Sequence, residues 1–232
     1  MDPVDHLRLA AARRRGDVAA AGLRGDADIA RAALDDADPG VRAAALAALC
    51  RLGACTETDA AAACRDPSPV VRRRAAELTP ALPGRAVLDL LADPDDGVVE
   101  AACFAAGELT DRTAVDRLCA LAGRHRDPLC REAAVAALGA IGDDAGLASV
   151  LAALDDVPAI RRRAVVALAA FDGDEVEAAL RGRLDDRDWQ VRQAAEDLLS
   201  LAGPTDPGLA NPEPAVPGPE GSEAPAPGGA PR

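Results

Sequence analysis

Guanidinium is the most prominent reactive chemistry in this chain. "VRRRAAEL" at 71–78 and "IRRRAVVAL" at 160–168 each carry three consecutive Arg, and "ARRRGD" repeats the run near the start. A guanidinium is a planar fork of donors that matches a carboxylate, so Arg73, Arg74, Arg162 and Arg163 are candidates for gripping an acidic partner. Glu100 and Glu132 stand among them, and Phe104 falls one helical turn beyond Glu100. Little else could react. The chain has two His, His6 and His125, and six Cys at 50, 55, 64, 103, 119 and 130 with no Cys-x-x-Cys spacing. One His without partners makes no metal site, and the thiols read as small hydrophobes. No Gly-rich phosphate loop, Ser-His-Asp order or catalytic carboxylate pair stands out. The expectation is therefore no metal, no cofactor and no catalytic residue.

The elements that must carry those side chains recur. Aligned on the apolar residue that opens a helix, the chain reads Val41, Val71, Val98, Cys130, Ile160 and Val191, at intervals of 30, 27, 32, 30 and 31. Four residues on stand Ala45, Ala75, Ala102, Ala134, Ala164 and Ala195, which implies helix backbones too close for a larger side chain. Eleven on come Leu52, Leu82, Leu109, Ile141, Phe171 and Ala202, completing one buried helical stripe. Pro39, Pro69, Pro128 and Pro158 precede the opening position, where a helix does not need the missing N–H. Gly53 and Gly142 follow the stripe as C-terminal caps. Shorter amphipathic stretches such as "ADIARAALDD", "GRAVLDLLAD" and "AVDRLCALAG" lie upstream, so each unit is helix, turn, helix. A period near 30 marks an array of stacked hairpins.

Composition agrees. Aromatics are 1% of the 232 residues, so the interior must be Ala, Leu and Val, which favours an all-α class. All 26 basic residues are Arg, a bias expected of a GC-rich bacterial genome. With 39 acidic residues the net charge is −13, which disfavours nucleic acid and anionic membrane as partners. The N-terminus carries acidic residues where a secretion signal needs positive charge, and no segment has the length of a membrane span. A cytoplasmic monomer is the expectation. Residues 1–26 are expected to cap the array with one or two helices, 27–202 to form it, and 203–232, which hold nine of the 18 prolines, to be a disordered tail.

The six copies over 27–202 resemble the HEAT repeat family, especially the bacterial HEAT-like repeats of the phycobilisome-lyase type. The resemblance implies a right-handed α-solenoid of about six hairpins whose second helices line a concave surface. Its pattern places an Asp in the turn, an apolar residue five positions later and an Arg after that. Here the columns read Asp36, Asp66, Asp93, His125, Asp155, Asp186 and Arg42, Arg72, Val99, Arg131, Arg161, Arg192. Pairing each Arg with the Asp of the following unit puts both departures on one rung; the reverse pairing breaks two. The first register is the expectation.

Two HEAT-like enzymes do not fit. A di-iron hydroxylase of the deoxyhypusine type uses His-Glu dipeptides, and none occurs. An alkylpurine DNA glycosylase grips duplex with a basic face and aromatics, whereas this chain has only Phe104, Phe171 and Trp189 and the wrong net charge. The expected function is non-catalytic binding of a protein or peptide on the concave face, through Arg73, Arg74, Glu100, Phe104, Glu132, Arg162 and Arg163. The alternative implied by the family name is an accessory protein acting on a tetrapyrrole chromophore.

Overall fold

The computed structural model describes residues 3–202; the tail proposed for 203–232 lies outside the described residues. A single helix, α1 (Pro3–Arg24), opens the chain. Six hairpins follow. The first pairs α2 (Ala27–Ala32), extended by a 3₁₀ turn, with α3 (Pro39–Arg51), and the second pairs α4 (Glu57–Cys64) with α5 (Pro69–Glu77). In the third, the 3₁₀ segment Ala86–Ala92 precedes α6 (Asp96–Glu108). The rest are α7 (Val115–Arg124) with α8 (Pro128–Ile141), α9 (Leu147–Ala152) with α10 (Pro158–Ala167), and α11 (Asp174–Gly182) with α12 (Trp189–Ala202). No strand occurs among the described residues, and the fold is an all-α solenoid.

Local chemistry sets these boundaries. Pro39, Pro69, Pro128 and Pro158 open α3, α5, α8 and α10. The side chains of Asp38, Asp95 and Asp127 cap α3, α6 and α8 by accepting a backbone N–H. Gly142 ends α8 in the left-handed region at φ 62°. The second unit departs from the pattern. Its α5 stops at Glu77 because Pro80 and Pro83 follow, each lacking the N–H a helix needs. Leu82, placed by spacing on the helical stripe, is still buried but is reached from the irregular segment after the helix.

The second helices pack on one another in sequence, α1 on α3, α3 on α5, and so on to α12. The repeated Ala at 45, 75, 102, 134, 164 and 195 are all fully buried. Closest approach falls at glycines that the column pattern did not single out. A methyl on Gly139 would lie 2.7 Å from the Ala167 Cβ and 2.8 Å from its Cα, and one on Gly22 2.7 Å from the Ala48 Cβ. One on Gly107 would stand 3.2 Å from the Ala137 Cα. Each pair joins consecutive second helices. Glu196 of α12 is exposed at the position where the other units bury Leu46, Ala76, Cys103, Val135 and Val165.

A ladder of ion pairs runs along the turns. Arg42 grips Asp66 through two bonds at 2.8 and 2.7 Å, Arg72 grips Asp93 at 2.6 and 2.8 Å, and Arg161 grips Asp186 at 2.9 and 2.8 Å. Each Arg thus holds the Asp of the following unit. The same guanidinium donates to a carbonyl of its own turn, Asp36, Asp66 or Asp156 respectively. The ladder carboxylates in turn accept the backbone N–H two residues on, at Ser68, Asp95 and Asp188. Turns and units are locked by one side-chain pair.

The fifth unit corrects one expected rung. Arg131 pairs with Asp156, at 2.7 and 2.9 Å, rather than with Asp155. The ladder position is the extended residue just after the 3₁₀ turn. That turn ends at Asp35 in the first unit but runs one residue further, through Asp155, in the fifth. Asp155 is left 82% exposed and meets Arg183 at 3.1 Å. Between the third and fourth units, where Val99 and His125 stand, the rung is missing. Arg126 and Asp96 bridge the gap at 3.0 Å, and His125 Nδ1 accepts the Asp127 N–H in place of a carboxylate.

The ladder's ends differ from each other. Asp36 takes Arg14 of α1, at 2.8 and 3.1 Å, so α1 meets the first hairpin as one second helix meets the next. Arg192, last in its column, donates to the Asp186 carbonyl at 2.7 Å and meets no carboxylate among the described residues. Hydrogen bonds from Arg14, Arg131 and Arg161 hold Asp36, Asp156 and Asp186 below the usual carboxylate range. At Asp66 and Asp93 burial pushes upward but is outweighed by the guanidinium and the backbone N–H.

Candidate functional site

Opposite the ladder columns, the second helices present a face furrowed between neighbouring units. Side chains two and three residues after the opening position project there, and the one six residues after it follows a helical turn further on. The second and third units enclose a groove of about 410 Å³ lined by Arg73, Glu77, Thr79, Glu100, Phe104 and Glu108 over a floor of Ala76, Ala101 and Ala105. Arg73, Glu100 and Phe104, singled out separately in the sequence, meet here. Phe104 is 49% exposed, unlike Phe171, which is buried in the stripe.

A second groove, about 440 Å³, lies between the first two units. Arg15, Arg73, Arg74 and Glu77 line it around Gly40, Ala43, Ala44, Ala47 and the exposed Val70. A third, about 310 Å³, lies between the fourth and fifth units, where Arg163 and the exposed Val166 border Ala136, Gly139 and Ala140. Its small residues are those that let α8 and α10 approach closely.

The arginines are less available than their sequence runs suggest. Arg73 and Arg74 converge on one carboxylate, Glu77, at 2.9 and 3.1 Å. Arg163 reaches back to Glu132 of the preceding unit at 3.4 Å, and its buried Nε has no partner among the described residues. Arg162 is exposed and borders none of the three grooves. Arg73 and Arg74 thus share a single carboxylate and Arg163 has Glu132, so these charges are partly neutralised on their own face, while Arg162 has no ion pair among the described residues. Arg15, Glu77 and Glu108 were missed in the sequence because only packing places them on groove walls.

The remaining titratable groups show no cluster that would hold a metal among the described residues. Cys50, Cys64, Cys103 and Cys130 are buried and Cys55 and Cys119 partly so, all as free thiols. Burial pushes Cys50 and Cys103 up to about 12 and Cys64 and Cys130 up to about 11. Thiols so raised carry almost no thiolate at neutral pH. No helix among the described residues is long and apolar enough to cross a membrane.

Comparison with known proteins follows the same lines. Residues 84–159 match the family model for HEAT repeats. A structure of the complex of CpcE and CpcF of phycocyanin lyase from Nostoc sp. PCC7120 is similar at 25% identity, covering 75% of each chain with a TM-score of 0.55. A designed armadillo repeat protein matches at 18% identity over 80% of this chain and 86% of its own, with a TM-score of 0.45. Human deoxyhypusine hydroxylase matches at 19% over 82% and 79%, with a TM-score of 0.44. No curated protein matches. Residues 84–159 thus match HEAT repeats, and the same helical hairpin continues on both sides of them in one all-α solenoid.

Proposed function

We propose that this protein is a non-catalytic adaptor that binds a protein or peptide along the face of its second helices, working as a cytoplasmic monomer. The observation that carries this reading is Phe104, half-exposed in the middle of a groove otherwise walled by charge and floored by alanine. An aromatic ring held open to water on a rigid helix is a ready anchor for a partner. The successive grooves supply the rest of the footprint, and a stack of pre-formed hairpins offers it without ordering cost. Selection of a random peptide library against the full chain tests this. Binders should weaken about 10-fold or more on Phe104→Ala, the loss expected of an interface anchor. Failure to enrich any peptide, or binders indifferent to residue 104, refutes the reading.

A second reading draws on the likeness to a phycocyanin lyase chain, under which the same face would hold a tetrapyrrole or the protein that carries one. Titration with a bilin, read by absorbance, separates the two. Colour that stays with the protein through gel filtration favours the second.

A further inference from the structure

We infer that the groove face selects a peptide of paired opposite charges, with an arginine seated on Phe104 and a carboxylate seated one unit earlier among Arg15, Arg73 and Arg74. The inference rests on the groove reading above and adds the chemistry of the occupant.

The neighbouring grooves carry opposite charge. Between the second and third units, three carboxylates, Glu77, Glu100 and Glu108, face one guanidinium, Arg73. Between the first and second units, three guanidinium groups, Arg15, Arg73 and Arg74, face one carboxylate, Glu77. Glu77 sits on the shared wall and is already engaged by both Arg73 and Arg74. What remains is negative on one side of α5 and positive on the other.

The negative side has an additional feature. Glu100, Phe104 and Glu108 are spaced four residues apart on α6, so they form one stripe with the ring in the middle. Neither glutamate meets a cation among the described residues, while Phe104 is 49% exposed. A guanidinium laid flat on an aromatic ring is attracted by its π-face and can donate to flanking carboxylates at the same time. An ammonium is a compact point charge that forgoes the stacking. The positive side has no such ring, and its exposed Val70 offers contact to an aliphatic stem. A carboxylate on a short side chain fits there, within reach of Arg15 and Arg74.

Spacing follows from geometry. Packed helices lie about 8–10 Å apart, and an extended peptide advances about 3.3 Å per residue. Crossing α5 from one groove to the next therefore takes about three residues. The occupant is an extended segment with Arg and Asp or Glu about three positions apart, and the net charge of −13 draws its cationic end in first.

The sequences enriched from a random peptide library on the full chain decide this. The expected set carries Arg with an acidic residue about three positions away, and replacing that Arg by Lys weakens binding about fivefold. Glu100→Gln with Glu108→Gln, the first half-buried and the second exposed on α6, should weaken the enriched peptides about 10-fold and remove the demand for Arg. Arg15→Gln with Arg74→Gln should remove the demand for the acidic residue. Enriched peptides that need Phe104 but lack Arg, or that ignore the Gln variants, overturn the inference and leave the groove reading standing. A library that yields no binder overturns both.

Discussion

Replacing Arg161 with Met tests whether ladder strength follows burial. Arg161 and Asp186 are each only 5% exposed, and Arg161 also satisfies the Asp156 carbonyl at 2.8 Å. Without the guanidinium, Asp186 keeps one hydrogen-bond donor, the Asp188 N–H at 2.8 Å, and only the more distant Arg183, at 4.0 Å, as a neighbouring cation in a largely dry seam. Breaking a buried pair in this way costs about 3–5 kcal/mol. The Arg14 rung has the same chemistry, but its partners are 46% and 17% exposed. Water replaces the lost bond there, and Arg14→Met should cost no more than about 1 kcal/mol. Trp189 is the single tryptophan and lies in the unit that Arg161 holds. Its fluorescence through a urea titration reports that unit, while far-UV circular dichroism reports the whole array. Arg161→Met should move the fluorescence midpoint ahead of the dichroism midpoint, and Arg14→Met should leave the two together. Equal costs for the two variants, or a loss below about 1 kcal/mol at Arg161, would refute the claim that the buried rung holds the last unit.

Other perturbations follow from the same packing. Because the ladder carboxylates are held below their ordinary value of 3.8 when folded, their contribution is fully present above about pH 4 and is lost as pH falls through the lower folded values; thermal midpoints measured from pH 7 down to 2 should fall mainly below pH 4. Gly139→Ala gains helix propensity of about 1 kcal/mol, yet its methyl would meet Ala167 at 2.7 Å. Overpacking at about 1–3 kcal/mol should win and lower the melting temperature. Gly123→Ala, where the added methyl would meet nothing within 4 Å, should raise it. A thiol reagent at pH 8 should leave Cys50, Cys64, Cys103 and Cys130 unmodified in the folded protein and titrate all six Cys in guanidinium chloride.

The repeat itself was readable from residue types alone. An alanine at one position of every unit has a single physical reading, close helices, and all six of those alanines are buried. The ladder register was readable for a related reason, since pairing each Arg forward confines the two odd residues, Val99 and His125, to one rung. Local reading failed where one element's length shifts its neighbour. Asp155 and Asp156 are adjacent, and which of them faces Arg131 depends on where the preceding 3₁₀ turn ends. Arg14 was likewise hidden, because α1 has no turn Asp to mark it as part of the ladder.

Sequence alone determined the hairpin period, the helix starts at proline and the buried alanine column, because these depend on contacts within a unit or on steric limits that hold wherever the unit sits. Tertiary structure decided which charges remain available. Glu77 takes up Arg73 and Arg74 locally, four and three residues on along α5, but Glu132 reaches Arg163 only across a unit boundary, and Glu100, Phe104 and Glu108 gain their meaning only when α5 and α6 close a groove around them. The Arg163–Glu132 pair recurs in no column, so it depends on side-chain reach and on the angle between two helices, which the repeat spacing does not carry.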